Sequence, residues 1–163
     1  MTILEILQHP DKRLKKISQP IMEITPEIKK LSQDMLETMY DSSGVGLAAP
    51  QINQLIRLIV IDTSENSDNS IVMINPKIVK QENIEKSQEG CLSIPGYYEN
   101  IERAKDIVVE YQDLDNSKQS LATDGLLSVC IQHEIDHLDG VLFVDYLSKL
   151  KQTRLLKKIK KNT

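Results

Sequence analysis

The stretch His133-Glu134-Ile135-Asp136-His137 sets two imidazoles four residues apart around a carboxylate. That spacing is useful on a helix, where residues four apart stand one above the other and both rings reach a single ion. The flanks predict such a helix: Thr123 or Asp124 can cap its start, and Gly140 follows its end at about Asp139, where a left-handed residue is wanted. Leu126, Val129 and Cys130 share the face, so the histidines emerge from an apolar wall. Glu134 lies beside the first ring without competing for the ion, placed to take a proton from water held there. A surface-facing histidine pair on an amphipathic helix fits the same five residues, so the matter turns on a third ligand.

Zinc proteases with this motif supply a histidine six residues after the second one, or a glutamate farther downstream. Here position 143 is Phe143, and beyond Asp145 no Asp, Glu or His remains. Asp139 and Asp145 are the local substitutes. Upstream lies Cys91, in Glu89-Gly90-Cys91-Leu92-Ser93-Ile94-Pro95-Gly96. A thiolate with two imidazoles leaves a fourth position open for water, which is a catalytic rather than a structural arrangement. Cys130 is the competing thiol, but one turn before His133 in the apolar stripe it suits a buried, inert role better. A third segment, Gly44-Val45-Gly46-Leu47-Ala48-Ala49-Pro50-Gln51, is a small-residue loop ending in an amide donor. It lacks the nucleotide-loop spacing, and its glycines would let backbone approach a ligand closely.

The rest of the chain bounds the answer. Its 163 residues suit one catalytic domain, 1–163. The longest apolar runs are four residues, as in Leu58 to Ile61, against the ~18 of a membrane span. No secretory signal is visible, and two cysteines make no disulfide framework, so a cytoplasmic setting is expected. Of the 20 Lys and Arg, seven lie in residues 146–163, which hold no acid; residues 1–145 therefore carry 13 cations against 24 acids, or −11. That acidic body argues against DNA binding by phosphate neutralisation. The basic tail suits a solvated helix with cations at its C-terminal end, or local contact with a polyanion.

Thr25-Pro26-Glu27 opens a helix with Ile28, Leu31, Met35 and Met39 as one stripe, up to about Tyr40. Leu55 to Asp62, Ile71 to Asn75, Ile78 to Glu85 and Asp106 to Gln112 read as strands. Thr63 to Ser70 reads as a loop, and Leu114 to Ser117 as a turn. A last amphipathic helix follows Ser148, with Leu150, Leu155, Leu156 and Ile159 as its apolar side. The expected class is α+β, mostly antiparallel sheet around a central metal-binding helix, with helices towards both ends of the chain.

Taken together, the three segments resemble the signature boxes of the peptide deformylases, metal hydrolases that remove the formyl group from the N-terminal methionine of new polypeptides. The boxes, G-x-G-x-A-A-x-Q, E-G-C-x-S and Q-H-E-x-D-H, appear in order at Gly44 to Gln51, Glu89 to Ser93 and Gln132 to His137, and the likeness covers nearly the whole chain. It implies that Cys91, His133 and His137 bind the metal and that Glu134 is the general acid/base. Gln51, through its side chain, and Leu92, through its backbone N–H, would form the oxyanion hole. Gly44, Val45, Gly46, Gly90, Leu126, Val129 and Cys130 would receive the formylmethionyl end. The family's working ion is Fe2+, with Zn2+, Ni2+ or Co2+ acceptable to the same donors. Partners implied are N-formylmethionyl nascent peptides and, through the basic C-terminal helix, the ribosome. The competing readings are a catalytically silent relative that binds methionine-led peptides, or another metal amidohydrolase or metalloprotease.

The chain departs from the family pattern in places. Tyr97-Tyr98 stands where many members carry Gln-Arg, an Arg thought to help hold the substrate backbone. Ser87 stands where an apolar pocket residue is common, and the C-terminal helix is short. His9 reads as a surface or packing residue.

Overall fold

The computed structural model describes residues 2–162. Helix α1 (Pro26–Asp41) begins as the sequence dictates: the Thr25 hydroxyl accepts from the Ile28 N–H, and Pro26 occupies the first turn. Strands β1 (Gly46–Ala48), β2 (Leu58–Ile61), β3 (Ile71–Cys91), β4 (Ile94–Gln112) and β5 (Lys118–Asp124) pair antiparallel in chain order as one five-stranded sheet. Helix α2 (Gly125–Leu138) and helix α3 (Lys149–Lys161) complete an α+β architecture.

Successive side chains on a strand face opposite ways, and in β2 both faces are covered. Leu58 and Val60 join Met35, Met39 and Leu47 beneath α1, whereas Ile59 and Ile61 join Met73, Val109, Ile131 and Leu138 beneath α2. This explains the unbroken apolar run in β2: it lies between two helices. Truncating one of these fully buried side chains to alanine costs about 2–5 kcal/mol. A third cluster, with Leu14, Ile94, Phe143 and Leu155, seats α3.

The sheet is more continuous than expected. Ile71 to Asn75 and Ile78 to Glu85 are parts of one long strand, β3, whose register against β4 shifts between Ile74 and Lys77 and again between Ile78 and Lys80. Those shifts and the positive φ of Asn75 (52°) bend the strand without ending it. Likewise β4 begins at Ile94, not Asp106: its largely polar first half pairs with β3 from Cys91↔Ile94 and Glu89↔Glu99 onward, burying Ile101, Arg103 and Ala104. Strand β5 was not expected. Lys118 to Asp124 is largely polar and exposed, as an outer strand must be, so it carries no apolar alternation to read. Asp124 precedes α2, yet no side-chain cap bond forms there. Gly140 takes φ 75° just past the end of α2, as anticipated. On α3, Leu155 is buried, but Leu150 and Leu156 are exposed, because the helix meets the body along a single narrow ridge.

Candidate metal centre and substrate cavity

Two elements converge at the site. Helix α2 supplies His133, Glu134 and His137, all buried, and the end of β3 supplies Cys91. One ligand atom from each of Cys91, His133 and His137 lies within 4.8 Å of the others. The Cys91 Sγ is 3.4 Å from His137 Nε2. A soft thiolate and two imidazoles gathered at that spacing fit a divalent transition metal. Cys130, Asp139 and Asp145 are not in this group: Cys130 is buried in the α2 core with its thiol pushed up to about 12 by burial, Asp139 pairs with Arg57, and Asp145 pairs with Lys15.

The orientation of His133 is enforced from behind. Its Nδ1 lies 2.9 Å from the Glu89 carboxylate, so Nε2 is the nitrogen turned towards the centre. Glu89 in turn accepts two bonds from the Arg103 guanidinium, at 2.7 and 2.9 Å, and Arg103 donates to Asp136 at 2.6 Å. Tyr146 donates to Asp136 at 2.8 Å, and its ring lies 5.3 Å beneath the guanidinium. Burial works against the Glu89 charge, but the bonds from His133 and Arg103 hold its carboxyl below the ordinary range. In the sequence Glu89 stands only as part of a signature box, and Arg103 carries no signal of its own. Their function depends on a contact between β3, β4 and α2, which local sequence does not encode. Gln132 is a similar case: its amide accepts from the Ala104 N–H at 3.0 Å and donates to the Ala104 carbonyl at 2.7 Å, pairing α2 to β4 as a strand residue would.

Glu134 is buried, and its Oε1 has no hydrogen-bond partner among the described residues. Burial pushes its carboxyl up to about 7, with His133 opposing and Glu89 reinforcing the shift. A carboxyl held near neutrality can accept and return a proton. A Cβ at Gly46 would collide with the Glu134 carboxylate, so β1 can lie this close to the carboxylate only because residue 46 has no side chain. Burial opposes a charged His133, but Glu134, Cys91 and Glu89 outweigh it and raise its pKa. His137, lowered by burial and by His133, is held neutral.

Gln51 closes the other side. Its amide oxygen accepts from the Ala48 N–H at 2.9 Å, which turns the amide nitrogen outward, 3.0 Å from Ser93 Oγ and 3.6 Å from Cys91 Sγ. Leu92 lies next in the hairpin between β3 and β4, with its carbonyl taken by Gln8. These residues open onto a cavity of about 830 Å³ whose lining includes all seven residues expected to receive substrate: Gly44, Val45, Gly46, Gly90, Leu126, Val129 and Cys130. Tyr98 also lines it, and Ser87 is not among its lining residues. His9 is half-buried, with its backbone N–H bonded to the Ser93 carbonyl, in a packing position away from the ligand group.

Comparison with known proteins agrees with this arrangement. The family model described as polypeptide deformylase matches residues 3–153. A peptide deformylase of Nitrosococcus oceani is 50% identical over 161 residues, covering 99% of this chain and 96% of its own length. The crystal structure of a peptide deformylase from Legionella pneumophila superposes with a TM-score of 0.94 at 44% identity, covering 98% of this chain and 95% of that one. A peptide deformylase from Ehrlichia chaffeensis, solved in complex with actinonin, superposes with a TM-score of 0.95 at 40% identity, covering 99% and 98%.

Proposed function

The chain belongs to the polypeptide deformylase family, whose members are enzymes, and on that footing we propose that it removes the formyl group from the N-terminal methionine of newly made polypeptides. The observation that carries this reading is the convergence of Cys91, His133 and His137 beside a buried carboxyl with one unpartnered oxygen. A divalent ion held by those three residues would act as a Lewis acid and make a water molecule acidic near neutral pH. Glu134 takes the proton of the attacking water and gives it to the leaving amine, which releases formate and a free methionyl terminus. The Gln51 amide nitrogen and the Leu92 N–H face the carbonyl oxygen as charge gathers on it; loss of one such donor costs about 3 kcal/mol of barrier. Leu126, Val129 and Cys130 receive the unbranched methionine side chain, and Gly44 and Gly46 leave room for backbone beside the reacting carbon. The residues that follow pair by backbone and run outward.

We further propose Fe2+ as the working ion and the cytoplasm as the site of action, where nascent chains are made. Among the described residues no helix is long and apolar enough to cross a membrane. The seven cations of residues 146–163 support a docking role on ribosomal RNA. Since Leu155 is buried, charge reversal at Lys157, Lys158 and Lys161 tests that role better than deletion: ribosome co-sedimentation should fall and lose salt dependence, and unchanged binding excludes the tail. The deciding assay is formate release from formyl-Met-Ala-Ser by anaerobically prepared protein. Release should stop with a chelator and return with Fe2+; no release from any formylated peptide overturns the reading, and equal turnover with Zn2+ removes the case for iron.

A further inference from the structure

We propose that Tyr146 is a positioning residue for the metal centre, holding Glu89 against His133 through Asp136 and Arg103, an inference that rests on the deformylase reading. Tyr146 is neither in the ligand group nor among the residues lining the substrate cavity. It ends the short 3-10 turn Phe143–Tyr146, which follows α2 and folds back against it. In a 3-10 helix residues three apart share a face, and here both act on the ligand helix. The Phe143 ring lies 5.9 Å from that of His133, at the position where zinc proteases carry a third histidine. Tyr146, three residues on, reaches Asp136 and the Arg103 guanidinium. The turn itself is fixed: the Asp145 carboxylate accepts from the Leu142 N–H at 2.8 Å and pairs with Lys15.

Burial falls off along the chain of contacts that leads out from His133. The side chains of Glu89 and Arg103 are 4 and 5% exposed, that of Asp136 is 21% exposed, and Tyr146 is 56% exposed. Arg103 commits Nε and Nη2 to Glu89 and Nη1 to Asp136. Its hold on Glu89 therefore depends on Asp136 staying in place, and Asp136 is within reach of water. The Tyr146 hydroxyl pins it, donating to the same Oδ2 that accepts from Arg103. The ring covers the guanidinium, a cation–π contact that also keeps water from competing for its N–H groups. Without Tyr146, Asp136 is free to turn to solvent and the Arg103 fork loosens, so the carboxylate that sets the His133 ring loses its own support. A metal-ligating histidine depends on such a partner for its orientation and basicity.

The test measures Co2+ affinity of the full chain by chelator competition, together with the visible absorption bands of the Co2+-loaded protein, which report the ligand arrangement. Tyr146→Leu should weaken binding about three- to ten-fold, less than the roughly 10–100-fold typical of a residue that touches a ligand directly, and should shift the bands. Tyr146→Phe, which keeps the ring over the guanidinium, should recover most of both. In a Glu89→Gln background Tyr146→Leu should change the affinity little, because the link through which it acts is already weakened. Unchanged affinity or unchanged bands in Tyr146→Leu, or an equal loss in the Glu89→Gln background, overturns the proposal. Should Tyr146→Leu fail to fold, the loss in Tyr146→Phe, expected at about two-fold, is compared across the two backgrounds instead. None of this needs turnover: if the protein binds Co2+ but releases no formate, the deformylase reading fails and the Tyr146 claim is still decided by these ratios.

Discussion

The two ends of the cavity are built differently. At the inner end His133 is fixed by Glu89, Glu89 by Arg103, and the Gln51 amide by the Ala48 N–H and Ser93, while Glu134 Oε1 and His137 Nδ1 have no hydrogen-bond partner among the described residues. At the mouth, Val45, Leu126 and Tyr98 are between 42 and 61% exposed. A substitution at the inner end leaves a buried polar group unpaired, which is costly, whereas one at the mouth exchanges one solvated surface for another. Chemistry and specificity therefore occupy separable parts of one cavity, and the two should respond to mutation in different kinetic constants.

The sharpest contrast is expected at Glu134. Glu134→Ala should keep the metal, because the ligands are untouched, and lower kcat by about 10^2–10^4-fold; formate release at the native rate would remove the acid/base assignment. Gly46→Ala tests the same carboxylate without altering it. The added methyl must displace the Glu134 side chain, and a misplacement of that size is expected to cost about 10–100-fold in kcat. Glu89→Gln acts one step farther back. It weakens the hold on His133 and strips Arg103 of its main buried counter-charge, so metal affinity should fall about 10–100-fold in a chelator competition. The mouth should answer differently: Leu126→Ser should raise KM about three- to ten-fold with little change in kcat, since the side chain offers only apolar contact. A kcat loss at Leu126 as large as that at Gly46 would break the distinction.

The same division governs what could be read without a structure. The helix carrying His133 and His137 was legible because its spacing, its apolar face and Gly140 all point to one geometry. Cys91 was legible by chemistry, as the remaining soft donor. Beneath α1, Met35 and Met39 fell where the helical period put them. What escaped was pairing between distant segments. Nothing local says that Arg103 will lie against Glu89, that Gln132 will bond Ala104, or that the polar run from Lys118 will add a fifth strand to the sheet. The extent of β3 escaped for a related reason: its middle is exposed, so side-chain alternation vanishes while backbone pairing continues. Tyr98 was visible as a departure, but its position over Gly90 depends on the β3–β4 pairing.

The smallest expected effect concerns Asp62, which braces the mouth from outside. Its N–H donates to the Val45 carbonyl at 2.9 Å, and its carboxylate accepts from the Tyr40 hydroxyl at 2.6 Å and from the N–H groups of Ser64 and Asn69. One buried acid thus ties the end of α1 and the loop from Thr63 to Ser70 to the segment that lines the mouth. Burial works to raise its pKa, but the bonds from Ser64, Tyr40 and Asn69 outweigh it and hold the carboxyl below the ordinary carboxylate range. A depressed folded-state pKa means that the charged form is the one the fold favours. Its contribution is therefore complete above the unfolded-state pKa of about 4 and is lost as pH falls through the lower folded-state value. Asp62→Asn should accordingly lower Tm by a few degrees at pH 7. The gap should narrow on acidification below pH ~4, as the native carboxyl takes up its own proton. A gap that stays constant down to pH ~3 would mean that the charge contributes nothing, and that the mouth is braced by the Asp62 backbone alone.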